Sequence, residues 1–288
     1  MIMPITRRYG LVVHAGDNLG DDIQAIAARA FLPRVDQMLE RERLDCDPGQ
    51  DLTVILNGWY MHQPQHWPPH PRIRALLLSL HVNQKMRRRF WKPAAARMFF
   101  HENNIAFLKR HAPIGARDRA TKEVLERHGI EAWHSNCLTL TLERPAVERQ
   151  DYIVANDLGA RVSAWIKANS ATPVVETTHR CRLTDTGKRF ALAQDVLATY
   201  AGAKAVVTSR LHCALPCLAF GTPVLLVPKN PRDHRFSSMS ELVRQASRAG
   251  LLSGDAGFDL DRPPANPRAF ERYRDDLTRR CRAFITAL

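Results

Sequence analysis

Short apolar runs recur along the chain, and between them lie longer segments with apolar positions every third or fourth residue. Runs of the first kind predict strands buried on both faces of a parallel sheet, and the longer segments predict the helices that cover it. The clearest case is 205–227. A strand over 205–208 leads into a polar turn carrying Ser209, Arg210 and His212, then a short apolar helix ended by Gly221, then a second strand over 224–227. This is a βαβ unit. Parallel sheets bind their ligands where a strand's carboxyl end meets the next helix, which is where Arg210 and His212 stand.

The rest of the chain follows the same pattern. Strands are predicted at 11–14, 52–56, 75–82, 111–118, 130–140, 152–155 and 173–178. Helices are predicted at 23–31, 102–110, 119–128, 161–168, 187–200, 236–251 and 269–287. The polar stretch 142–150 reads as a linker, after which the alternation restarts. Two lobes are therefore expected, 1–145 and 146–288, in an α/β architecture.

Three strand ends carry candidate ligand groups. The turn Ala15-Gly-Asp-Asn-Leu-Gly-Asp-Asp22 offers backbone N–H groups, with Asp17 and Asn18, to an anion or a sugar hydroxyl; alternatively it is a tight turn in which Asp21 or Asp22 caps the helix. It matches neither the P-loop nor the dinucleotide fingerprint. Asn57-Gly58-Trp59-Tyr60 suits a sugar, whose C–H faces pack on aromatic rings, and packing inside the lobe explains the same rings. Arg117 either pairs with Asp118 or clamps a phosphate or carboxylate, with Asp118 capping the helix 119–128.

Charge and cysteine usage narrow the classes. A formal net charge of +13 favours anionic partners. No zinc-finger spacing, basic zipper or aromatic RNA-binding signature accompanies it, so nucleic acid is not expected. The basic and aromatic run Lys85–Lys92 suits anionic lipid headgroups, or is a solvated face. The chain starts without the apolar run of a signal peptide, and no run reaches the ~20 residues of a membrane span. A cytoplasmic protein is expected, at most peripheral at the inner face of the membrane. The six cysteines form no Cys-x-x-Cys pair, so neither disulfides nor a structural zinc is expected. Cys213 and Cys217, one helical turn apart beside His212, fit the apolar face of their helix better than a metal site.

Thr208-Ser-Arg-Leu-His-Cys-Ala-Leu-Pro-Cys-Leu-Ala-Phe-Gly-Thr-Pro223 resembles the signature of the polysaccharide pyruvyl transferase family. Gly16-Asp-Asn-Leu-Gly-Asp-Asp22 resembles that family's N-terminal Gly-Asp motif, and 56–61, 113–118 and 137–140 resemble further blocks in the same order. The chain departs from the family pattern at Ala116, where Cys is common, and at Ser135-Asn136, where Ser-Gly is common. A thiol therefore has no part at position 116.

The resemblance implies two Rossmann-like lobes in a glycosyltransferase-B-like arrangement. The implied reaction moves pyruvate from phosphoenolpyruvate onto two hydroxyls of one sugar, closing a cyclic ketal and releasing phosphate. Phosphoenolpyruvate carries two anionic groups, which Arg210, Arg117, His212, Ser209 and the N–H of Leu211 suit. Protonating its methylene carbon calls for an acid that titrates near neutrality: His212 first, His179 second. Asp17, Asn18, Asn57, Gly58 and Trp59 complete the expected binding residues. No metal or cofactor is expected beyond phosphoenolpyruvate as co-substrate, and the acceptor is a glycan or a lipid-linked saccharide. Two other functions fit the residues less well. One is a nucleotide-sugar-dependent glycosyltransferase, for which Asp233 is the near ribose-binding carboxylate; the other is a non-catalytic glycan- or membrane-binding protein.

Overall fold

The parallel strands predicted from the apolar runs are present. A computed structural model describes residues 7–83, 95–231 and 233–287. The run Lys85–Lys92 lies outside the described residues. The chain divides into two units. Unit 1 takes Met1–Ala15, Ala25–Leu138 and Leu277–Leu288, and unit 2 takes Gly16–Gln24 and Thr139–Asp276. Compared with a division after residue 145, three segments change sides: the Gly-Asp turn and residues 139–145 go to unit 2, and the end of the last helix goes to unit 1.

Unit 1 is built on β1 (Tyr9–Val13), the later turns of α1 (Leu19–Arg29), β2 (Gln37–Glu40), β3 (Leu52–Asn57) and β4 (Ile73–Leu78). The four strands are parallel, in the order β2-β1-β3-β4. Then come α2 (Ala95–Phe99), α3 (Glu102–Arg110), β5 (Ile114–Ala116), α4 (Arg119–Arg127) and β6 (Ala132–His134). β5 and β6 form a parallel pair, joined to the β4 side by a bridge from Leu80 to Ala116. Leu52 to Leu56 are all buried, the continuous burial that a sheet covered on both faces requires.

Unit 2 runs β7 (Ile153–Asn156), α5 (Ala160–Ala168), β8 (Val174–Thr177), α6 (Thr186–Gly202), β9 (Ala205–Thr208), α7 (Leu211–Phe220), β10 (Val224–Leu226), α8 (His234–Ser237), β11 (Arg244–Gln245) and α9 (Arg248–Leu252). Its parallel sheet has the order β11-β10-β9-β7-β8. Numbered from its own first strand this is 2-1-3-4-5, a doubly wound order whose switch point lies between β7 and β9. Unit 1 repeats the rule, with its switch point between β1 and β3. The last helix, α10 (Glu271–Thr286), buries Leu277, Cys281 and Ile285.

Several segments differ from expectation, among them the strand predicted over 111–118, which is only Ile114–Ala116. The helix predicted over 236–251 is interrupted: Arg244 and Gln245 pair with Leu225 and Leu226, because the edge of β10 presents backbone groups that a helix there would leave unpaired. The strand predicted over 130–140 stops at His134, since Asn136 turns to φ 57° and Leu138–Thr141 form a 3-10 turn. The strand predicted over 75–82 starts at Ile73 and ends at Leu78, because Ser79 lies at φ 54°. β2 was not predicted, since in Gln37-Met-Leu-Glu40 only Leu39 is buried.

The Gly-Asp segment is fastened into unit 2 by a buried ion pair. Arg189 of α6, 1% exposed, donates from Nε and Nη2 to the two carboxylate oxygens of Asp22, 2% exposed, at 3.0 and 2.6 Å. Burial opposes both charges, and the fork geometry holds the pair together. Arg189→Met strands the carboxylate and is expected to lower unfolding stability by about 3–5 kcal/mol, measured by urea titration. The double variant Asp22→Leu/Arg189→Met should recover more than half of that loss. A double variant as unstable as the single would show that the loss is not that of an unpaired charge.

Candidate functional site

The carboxyl edge of unit 2 is a rigid polar ladder. The buried Asn156 amide donates to Thr177 Oγ1 at 3.0 Å and accepts from Thr208 Oγ1 at 2.9 Å, locking β8, β7 and β9 together at their ends. The chain then turns sharply, with Asp157 at φ 51°. Its carboxylate accepts from Thr178 Oγ1 at 2.7 Å, from the His179 N–H at 3.0 Å and from Arg210 Nε at 2.7 Å. Burial works against that charge, but the Thr178, His179 and Arg210 donors hold the carboxyl below its usual range. Ser209 Oγ donates to Asp157 O at 2.8 Å. Arg210, half-buried, is the residue before the first turn of α7, and its own N–H is held by Thr208 Oγ1 at 3.0 Å.

His212 follows in that first turn, and its neighbour is Gly20. A Cβ on Gly20 would fall 2.6 Å from His212 Nδ1. The closeness comes from how segment 16–24 lies in unit 2. Leu19 N–H donates to His179 O and Cys181 N–H to Asp17 O, both at 2.8 Å, and Asn18 bridges to Arg180. Asp17 is exposed and Asn18 half-buried.

His179 is placed differently. It is 1% exposed, with Nε2 2.9 Å from the Tyr200 hydroxyl. Burial pushes its pKa down to about 4, so at neutral pH it is uncharged and holds no proton to give as an imidazolium. Sequence spacing put both histidines at strand or helix ends; burial separates them. Cys213 and Cys217 are fully buried on the inner face of α7. Among the described residues no three His, Cys, Asp or Glu side chains are grouped to hold a metal.

The carboxyl edge of unit 1 carries a second cluster, much of it missed in the sequence. Arg41, 5% exposed, follows β2; it donates to Glu42 Oε1 at 3.0 Å and lies 3.0 Å from His62 Nδ1 and 3.3 Å from His14 Nε2. Burial disfavours charge on Glu42, but His62, Arg41 and the Gln63 N–H hold its pKa down at about 2. Trp59, half-buried, packs edge-on to His62 with centroids 4.4 Å apart, while Tyr60 is buried against Trp67. Tyr60 is thus a core residue and Trp59 stands at the edge, beside Asn57 and the buried Gly58. Asp118 caps α4 through Thr121 N–H at 2.9 Å and holds His81 Nδ1 at 2.7 Å. Arg117 is 4% exposed at the end of β5, its N–H on Leu80 O. No periodicity in the sequence joins Arg41, His14, His62 and His81, because the sheet order brings them together from four separate strands.

Residues 18–230, from the Gly-Asp segment through the strand after α7, match the model of the polysaccharide pyruvyl transferase family. The chain belongs to that family. No match to a curated protein was found. Among solved structures, a functionally uncharacterised protein of Klebsiella pneumoniae is similar at 11% identity and TM-score 0.48, over 81% of this chain and 88% of that one. Methanocaldococcus jannaschii UDP-GlcNAc 2-epimerase, in complex with UDP-GlcNAc and UDP, is similar at 9% identity and TM-score 0.48, over 94% and 98%. The glycotransferase of kitacinnamycin is similar at 12% identity and TM-score 0.35, over 93% and 78%.

Two consequences are measurable. His179 has its pKa lowered on folding, so its contribution to stability is complete above the unfolded value of about 6.5 and is lost as pH falls toward about 4. Urea titrations should show His179→Gln losing less stability than the parent between those limits, by up to about 3 kcal/mol; parallel curves for the two proteins would be the contrary result. Gly20→Ala favours the helix by propensity but crowds His212. It should leave the fold intact and shift the ring resonances of His212 in NMR spectra, and unmoved ring resonances would show that Gly20 does not set the ring.

Proposed function

We propose that this family member transfers the pyruvyl group of phosphoenolpyruvate to two hydroxyls of one sugar in an exopolysaccharide, a cell-surface glycan or its lipid-linked precursor. The observation that carries the reading is the switch-point edge of unit 2. There Arg210, oriented by Asp157, stands beside His212 and the first turn of α7. Family membership supplies the reaction class.

In this reading Arg210, Ser209 Oγ and the Leu211 N–H receive the anionic groups of phosphoenolpyruvate. The His212 imidazolium gives its proton to the methylene carbon, which becomes the methyl group, and the adjacent carbon becomes oxocarbenium-like. One acceptor hydroxyl forms a C–O bond to that carbon, the bond to the phosphate oxygen breaks, and the second hydroxyl closes the ketal. Of the two hydroxyl protons, one restores His212 and one leaves with phosphate. Trp59, with Asn57 and Gly58, is the sugar-facing surface of unit 1, and Arg117 and Arg41 are buried cations there. His81, held by Asp118, joins that unit's candidate residues. The proposal uses no metal or cofactor. Among the described residues no helix is long and apolar enough to cross a membrane.

His212→Ala is expected to lower kcat by about 10²–10⁴-fold, the usual scale of general acid catalysis, while phosphoenolpyruvate still raises the melting temperature. Arg210→Ala should abolish that thermal protection. The assay is phosphate release with a panel of oligosaccharide and lipid-linked acceptors, coupled to mass detection of the ketal. Turnover of a nucleotide sugar with none of phosphoenolpyruvate would overturn the assignment, as would His212→Ala at parental activity.

A further inference from the structure

The amino-terminal end of unit 1's sheet, opposite the edge that carries Trp59 and His81, holds a feature that the reaction does not use. The start of β4, the chain just before β5, Trp133 of β6 and α10 border an opening there. The opening is a groove of about 480 Å³ lined by Arg74, Arg110, Arg279, Arg280, Trp133 and Phe284, among others. Among the described residues lining it there are four arginines and no carboxylate. A second groove, of about 590 Å³, runs on past Pro68, Pro69 and His70 and holds one carboxylate, that of Asp45, whose Oδ2 lies 2.9 Å from His66 Nδ1. The two share Arg74, Arg110 and His111, so they form one continuous track.

Two of the guanidiniums are stacked in place. Arg280 lies over Trp133 at 4.1 Å and Arg74 over Phe284 at 4.7 Å. Stacking fixes the plane of the fork while its N–H edge points sideways, which pre-organises it for a planar anion such as a carboxylate. Arg74 and Arg110 are exposed. The formal charge of +13 adds long-range attraction for a polyanion. A single small anion would use one arginine fork, whereas a track through two grooves suits a chain.

We propose that this track binds a carboxylate-bearing polysaccharide chain. The inference rests on the reading that the acceptor is a glycan. Transfer of pyruvate leaves a carboxylate on each modified sugar, so a chain already modified becomes the polyanion that the arginines fit. The track then retains the polymer while further residues are modified, at a distance from the chemistry.

The test is binding, read without turnover. Polygalacturonate and dextran of matched length serve as acidic and neutral probes, titrated by calorimetry at two salt concentrations. Polygalacturonate should bind at least tenfold tighter than dextran, and more weakly as salt rises. Arg74→Ala/Arg110→Ala, at exposed positions outside the candidate active site, should weaken polygalacturonate binding at least tenfold. The same variant should leave thermal protection by phosphoenolpyruvate and turnover of a short acceptor unchanged. Equal affinity for both polymers, an unaffected double variant, or tighter arginine-dependent binding of RNA or phosphatidylserine vesicles would each overturn the proposal. Loss of phosphoenolpyruvate turnover with intact polymer binding would instead count against the proposed reaction alone.

Discussion

The carboxylate of Asp157 is the point on which the edge of unit 2 depends. Three donors from two other segments converge on it: the Thr178 hydroxyl and His179 N–H beyond β8, and the Arg210 guanidinium beyond β9. The residue adopts a left-handed conformation, which for a non-glycine side chain costs about 1–3 kcal/mol and persists only where the surroundings fix it. Here the fixing agents are the same hydrogen bonds that aim Arg210. The strain and the orientation of the cation are therefore one device. Arg210 sits at a doubly wound switch point with its plane already set, so less freedom is lost when an anion binds.

Unit 1 uses the same kind of device at β4 and β6. Ser79 and Asn136, the other non-glycine residues with positive φ among those described, both follow strand ends. Ser135 Oγ connects them, accepting from Ser79 N–H at 3.1 Å and lying 3.0 Å from Ala116 O and 2.9 Å from Asn136 O. Asparagine, at position 136, is among the side chains that best tolerate this conformation. Gly115 shows why the neighbouring site stays small: a Cβ there would meet the Leu78 backbone at 2.9 Å.

The central strands of the two larger parallel sheets were legible in the sequence because they are buried on both faces, and uninterrupted apolar runs such as Leu52–Leu56 have little other use. Arg210 and His212 were legible for a related reason, since a polar pair directly after such a run marks the strand's carboxyl end. The Arg41, His14, His62 and His81 cluster was not. Its members lie after four different strands, and only the order β2-β1-β3-β4 makes neighbours of them. The edge strand β11 was hidden as well, because Met239, Leu242 and Val243 keep a helical spacing while the open edge of β10 claims the backbone that follows. His179 and His212 looked interchangeable by position. They differ in burial, a property of the packed fold rather than of the local sequence.

The segment 16–24 is where the local and the global readings diverge most. As a sequence it is a Gly-rich turn at the start of a helix, and a turn is enough to account for its glycines. Yet Gly20 has no positive φ to require a glycine; what it lacks is room, because His212 occupies the space a side chain would fill. Two backbone hydrogen bonds, from Leu19 N–H to His179 O and from Cys181 N–H to Asp17 O, set the segment's height along unit 2, and the Asp22–Arg189 pair sets its depth. The small residue, the buried ion pair and the histidine of α7 are therefore linked by one steric condition. Gly20 and His212, far apart in the chain, are neighbours because the one leaves the space that the other fills.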